Sequence, residues 1–233
     1  MKRRYVIGAL IIAVILGIVA YVLFGYLPKQ RKKQETARAV EEYYAAKLAA
    51  YAEENARYAD YEVDVAFLGD SLTDGYDLAK YYPQYVTANR GIAGETTDGL
   101  EKRLAVSAYE LKPKVVVMLI GGNNLDTMFN NYERIVAGLR EHLPDTELVL
   151  VSLTSMGGDW AHKNHIAAYN NVKIRLIAQK YSCAYVDLFT PLLDPQTDEI
   201  RAEYTTDGAH QTDKGYAVFT REITPILEQL LAQ

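Results

Sequence analysis

Two stretches far apart in the chain hold residues whose chemistry is readily joined: Gly69-Asp70-Ser71-Leu72-Thr73 and Asp207-Gly208-Ala209-His210. A serine hydroxyl is a weak nucleophile until a base within hydrogen-bond reach takes its proton, and an imidazole suits that task at neutral pH. His210 is the best placed of the four histidines to act on Ser71. Asp207 lies three residues before His210, a spacing that lets a loop or one helical turn bring the carboxylate to the ring. There it would fix the imidazole tautomer and stabilise the imidazolium formed during attack. Addition of Ser71 to an ester carbonyl also needs donors already aimed at the developing oxyanion. The backbone N–H of Ser71, the N–H of Gly94 in Asn89-Arg90-Gly91-Ile92-Ala93-Gly94 and the side-chain amide of Asn123 in Gly121-Gly122-Asn123-Asn124 would supply three. Each feature alone has a plainer use, as a helix cap or a turn residue. Together they favour catalysis. Ser71 is not framed by G-x-S-x-G, which disfavours the nucleophile elbow of the α/β-hydrolases.

The elements that must carry these residues to one place can be read from the hydrophobic pattern. After Asp60, short apolar runs ending in Gly, Asp or Asn alternate with longer segments of helical period, the signature of a parallel sheet covered on both faces. Strands are expected at 63–68, 86–91, 115–120, 148–153 and 184–188, and helices near 95–109, 129–142, 163–180 and 213–231. Five strands with right-handed crossovers predict a three-layer α/β/α sandwich around a five-stranded parallel sheet. Ligands of such sheets sit at the carboxyl ends of the strands, and Asp70-Ser71, Gly94 and Asn123 follow the first, second and third.

The four blocks, in this order and each after the expected element, resemble the GDSL or SGNH hydrolases, including members of the platelet-activating-factor acetylhydrolase type. The resemblance covers essentially everything from about residue 62 to the C-terminus. It implies the flavodoxin-like SGNH fold, with Ser71 as nucleophile, Asp207 and His210 completing the triad, and Ser71, Gly94 and Asn123 forming the oxyanion hole. It further implies an esterase acting on short acyl or acetyl groups of glycans, or on lysophospholipids. Hydrolysis through an acyl-serine needs no metal or organic cofactor. The same acyl-enzyme captured by another alcohol would make an acyltransferase, and a membrane-tethered binding module that has lost turnover is the rival from another class.

On topological grounds Tyr76, Tyr81, Phe129 and Trp160 are candidate walls of the substrate site. His162 and His165 have the spacing of a metal pair, but no third ligand is arranged with them in sequence, so no metal site is expected.

The 233 residues are 49% hydrophobic, enough for one buried core, with a formal net charge of -5. No Lys/Arg stripe follows residue 33, which argues against nucleic acid as a partner. The lone Cys183 rules out an internal disulfide. From Tyr5 to Leu27 the chain carries no charge, and a helix of that length would cross the roughly 30 Å hydrocarbon layer. The expected organisation is a single-pass N-terminal anchor with basic flanks at 1–33, an amphipathic helical connector at 34–61 and a catalytic domain at 62–233. Basic residues on both sides of the apolar segment leave its orientation open. Family habit favours an extracytoplasmic domain, and the oligomeric state is not readable.

Overall fold

The computed structural model describes residues 7, 17–19 and 21–232. Most of the uncharged segment at 5–27, and with it the expected anchor, lies outside the described residues. Among those residues, no helix is long and apolar enough to cross a membrane. The chain divides into two units, Met1–Lys47 and Leu48–Gln233.

In the first unit, a π-turn at Val22–Tyr26 leads into helix α1, Leu27–Asn55. Along the first unit nearly every described position of α1 is exposed. Ala, which offers little area to bury, supplies half of the apolar positions of this stretch. The buried residues of α1 are Tyr51 and Asn55, in the second unit.

The second unit begins at Leu48, ahead of the boundary at residue 62, because the last turns of α1 pack into it. Then follow β1 (Val65–Gly69), α2 (Ser71–Asp74), α3 (Leu78–Tyr81), β2 (Thr87–Gly91) and α4 (Thr97–Lys102). After these come β3 (Val115–Leu119), α5 (Tyr132–His142), β4 (Glu147–Val151), α6 (Asn164–Lys180) and β5 (Ala184–Val186). The chain ends with α7 (Phe189–Leu192), a small hairpin of β6 (Leu193–Asp194) and β7 (Glu199–Ile200), and α8 (Asp213–Leu231). The five long-range strands are all parallel, in the order β2-β1-β3-β4-β5.

Side chains alternate across the sheet and feed two cores. Ala66, Leu68, Val116, Met118, Leu148 and Leu150 pack with Ile135, Leu139 and Ile174 of α5 and α6. Val65, Phe67, Val117, Leu119 and Val149 pack on the other face with Tyr76 and with Phe219, Ile223 and Leu227 of α8. This is the three-layer α/β/α sandwich expected. One helix differs from expectation. The segment near 95–109 is split where Arg103 leaves helical geometry at φ -110° and turns its guanidinium inward, and a π-turn at Ala105–Tyr109 follows.

Candidate active site

The strand order reverses direction at β1 and β3, and their carboxyl ends meet at Gly69 and Leu119. A Cβ on Gly69 would lie 2.1 Å from Thr73 Oγ1 and 2.4 Å from the Leu119 carbonyl, so only glycine lets the chain turn there. Asp70 caps the single turn of α2 by accepting the Leu72 N–H at 3.0 Å, and Ser71 is the first residue of that turn.

The other half of the site comes from the loop before α8. Asp207 Oδ1 accepts the N–H groups of Ala209 at 2.9 Å and His210 at 2.8 Å, folding the loop back on itself. Oδ2 of the same carboxylate lies 2.7 Å from His210 Nδ1, and His210 Nε2 lies 3.1 Å from Ser71 Oγ. A carboxylate only accepts, so Nδ1 carries the proton and Nε2 faces the serine as an acceptor. Gly208, at φ 91°, sits so close to Gly157 that a Cβ would meet its carbonyl at 2.2 Å, and the Gly157 N–H donates to the Gly208 carbonyl at 2.8 Å. These contacts tie the histidine loop to the loop after β4. The His210 backbone N–H, then its ring, then the Ala209 N–H hold the Asp207 carboxyl down to about 2.

Two further segments close the site. Gly94 has φ 78° in a turn closed by the Glu95 N–H on the Ile92 carbonyl at 3.1 Å. Asn123 stands in a 3-10 turn, Gly122–Asn124, and its Nδ2 donates to the Glu95 carbonyl at 2.9 Å. An amide nitrogen has two N–H groups, and Asn123 also lines the cavity beside Ser71. That cavity, of about 110 Å³, is bounded by Asp70, Ser71, Leu72, Asn123, Met156, Trp160 and His210. Gly122 and Asn123 also border a larger groove of about 430 Å³, lined by Asp126, Thr127, His162, Lys163 and His165.

Of the four aromatic residues expected as walls, Trp160 borders the cavity beside Ser71, with the Lys163 ammonium 4.5 Å from its ring. The other three are corrected. Tyr76 is 4% exposed, stacks on Tyr216 and shares its hydroxyl with Thr220 and Tyr82, so it belongs to the core under α8. Tyr81 turns toward the start of α8 and donates to the Asp213 carbonyl. Phe129 packs beside Tyr132 and Lys173 and lines a different groove from the one that Ser71 borders. Among the described residues, no group of three His, Cys, Asp or Glu side chains could hold a metal.

Residues 67–218 match the model of the GDSL-like lipase/acylhydrolase family. The chain belongs to that family. Its fold is similar to that of a GDSL-like lipase from Bacteroides thetaiotaomicron, at 23% identity over 78% of this chain and 97% of that one, with a TM-score of 0.69. A Streptococcus pneumonia protein assigned provisionally as a platelet activating factor matches at 24% identity over 85% of this chain and 99% of the other, also with a TM-score of 0.69. An acetylxylan esterase from Geobacillus stearothermophilus matches at 18% identity, covering 72% and 95%, with a TM-score of 0.59. Identities this low establish the fold alone. No curated protein matches the sequence.

Sequence reasoning missed the charged residues beneath this GDSL-type site. Arg90, Glu95 and Arg103 are all buried, and Arg103 Nε donates to Glu95 Oε2 at 3.0 Å. One signal was present for Arg90: in Thr87-Ala88-Asn89-Arg90-Gly91 it shares the inward face of the strand with Ala88.

Asp70 is likewise buried, and desolvation pushes its carboxyl up to about 6 from the usual 3.8, against the lowering effects of the Leu72 N–H and His210. A raised carboxyl favours the native state at low pH, and that contribution is lost as pH rises through about 6. Asp70→Asn keeps an oxygen for the Leu72 N–H and removes the buried charge. It is expected to stabilise the fold at pH 8 by on the order of 3 kcal/mol, with no gain below pH 4. Urea unfolding at the two pH values checks this, and an equal effect at both would refute the desolvation account.

Proposed function

We propose that the protein is an esterase that removes short acyl groups, acetyl above all, from a polyhydroxylated alcohol such as a glycan, through an acyl-Ser71 intermediate. The observation that carries this reading is the bond path from Asp207 through His210 to Ser71 Oγ, opening on a small cavity. As Oγ attacks the ester carbon, His210 Nε2 takes its proton, and the oxyanion is met by the N–H groups of Ser71 and Gly94 and the Asn123 amide. The bond to the alcohol oxygen then breaks, and His210 returns the proton to that oxygen. Water enters with His210 as its base, and the carboxylic acid leaves.

The cavity beside Ser71, at about 110 Å³, is far below the roughly 300–1,000 Å³ of pockets that enclose drug-sized ligands, which fits a short acyl group. The adjoining groove mixes Asp126, Thr127, His162, Lys163 and His165, donors and acceptors with one lysine and one carboxylate. Such a lining suits hydroxyl groups better than an alkyl chain. A structural relative named an acetylxylan esterase accords with this choice. The uncharged stretch at 5–27 supports a membrane tether, and the side on which the domain lies, taken as extracytoplasmic by family habit, is left open by the basic residues flanking that stretch.

The test is hydrolysis of p-nitrophenyl esters from acetyl to dodecanoyl by the full chain. The acetyl ester is expected to exceed the dodecanoyl ester in kcat/KM by at least about 100-fold. A preference for dodecanoyl would replace deacylation of glycans with lipid cleavage. Activity of intact cells on a membrane-impermeant ester, compared with lysed cells, tests the proposed side.

A further inference from the structure

The last turns of α1 reach the strand ends that carry the site. The Tyr51 hydroxyl donates to the Gly91 carbonyl at 2.6 Å, and its ring lies beneath the Arg90 guanidinium, 4.7 Å from centroid to Cζ. Arg90 is fully buried. One terminal nitrogen donates to Glu54 Oε2 at 2.6 Å and the other to Asn55 Oδ1 at 2.9 Å, while its Nε has no acceptor. The carboxylate facing this buried cation thus comes from α1. A buried charge needs such a partner, since without one the guanidinium must move toward water and carry its strand with it.

The Arg90 backbone is also a junction. Its carbonyl accepts from Arg103 at 3.0 Å, and the same guanidinium donates to the Gly69 carbonyl at 3.0 Å and to Glu95 Oε2 at 3.0 Å. Gly69 is two residues before Ser71, and Glu95 is the residue after Gly94, with its carbonyl held by Asn123. A continuous run of hydrogen bonds therefore leads from α1 through Arg90 and Arg103 to the segments bearing Ser71, Gly94 and Asn123. None of it touches His210 or Asp207.

We propose that Tyr51, Glu54 and Asn55 of α1 are positioning residues for the oxyanion side of the active site, acting through Arg90 and Arg103. The inference rests on the esterase reading above. Docked α1 keeps Arg90 in place, Arg90 and Arg103 fix the ends of β1 and β2, and those ends set the distance between Ser71 and its oxyanion donors. The catalytic region is then incomplete when started at residue 62, although every motif residue would be present.

The experiment uses the full chain and p-nitrophenyl acetate, with active sites counted by a fluorophosphonate that labels Ser71. Glu54→Ala is expected to lower kcat per labelled site by about 10- to 100-fold, with KM within about twofold and the pH profile of kcat/KM unchanged. Glu54→Gln, which keeps an acceptor for Arg90, should recover part of the loss. Tyr51→Phe removes only the hydroxyl on Gly91 and is expected to cost about three- to tenfold in the same quantity. A merely structural role would reduce the number of labelled sites and leave kcat per site constant, and that result in both variants overturns the proposal. Wild-type protein that neither labels nor turns over would instead overturn the esterase reading.

Discussion

Ser71→Ala is expected to lower kcat for ester hydrolysis by about 10⁴- to 10⁶-fold, and His210→Ala by a similar factor. The two side chains act as one unit. In the proposed mechanism the 3.1 Å contact between His210 Nε2 and Ser71 Oγ is the route by which the hydroxyl becomes nucleophilic, so either loss would leave the other with nothing to do. The double variant should consequently be no worse than either single one, where independent contributions would multiply. Residual turnover in both would reflect the oxyanion donors and binding alone. Ser71 is not fully buried and its replacement creates little cavity, so thermal unfolding should be nearly unchanged. Steady-state kinetics on p-nitrophenyl acetate, with fluorophosphonate labelling as the check on Ser71, decides the matter. A Ser71→Ala protein within tenfold of wild type would remove this serine from the chemistry.

The sheet was legible because β1, β3 and β4 are covered on both faces and read as unbroken apolar runs, as in Val115–Leu119. The site residues were legible for a different reason. Ser71 at its capped turn and the Asp207–His210 pair lie in short motifs that make their own hydrogen bonds just after a predicted strand or before a helix, whereas Asn123 is held by the distant Glu95 carbonyl. The direction of an aromatic ring has no such local rule. Tyr76 and Trp160 were equivalent in sequence, and it is Phe219 and Tyr216, far along the chain on α8, that draw Tyr76 into the core. The arginine network was illegible for the same reason. Arg90 is buried only because Glu54 and Asn55 come from a helix read as a connector, and Arg103 only because Gly69, Arg90 and Glu95 offer acceptors from three other segments.

Asp207→Asn is expected to lower kcat by about 10³- to 10⁴-fold, more than Asp207→Ala. The argument turns on which proton the imidazole carries. In the native site Oδ1 accepts two backbone N–H groups and Oδ2 accepts the Nδ1 proton at 2.7 Å. An asparagine whose oxygen keeps the backbone bonds must present its NH₂ to Nδ1. Nδ1 then becomes the acceptor, the proton moves to Nε2, and the face toward Ser71 can no longer take the serine proton. Alanine imposes no such tautomer, and because the Asp207 side chain is half exposed, water can serve Nδ1 in its place. The native carboxyl, held down to about 2, contributes stability above the usual 3.8 that is lost only as pH falls through about 2. Its ionisation therefore introduces no inflection into the wild-type rate between pH 5 and 9. Kinetics of both variants across that range separates the cases. Equal losses would assign Asp207 an electrostatic role without control of the tautomer, and activity within tenfold of wild type in Asp207→Asn would reduce the machinery to a Ser71–His210 dyad.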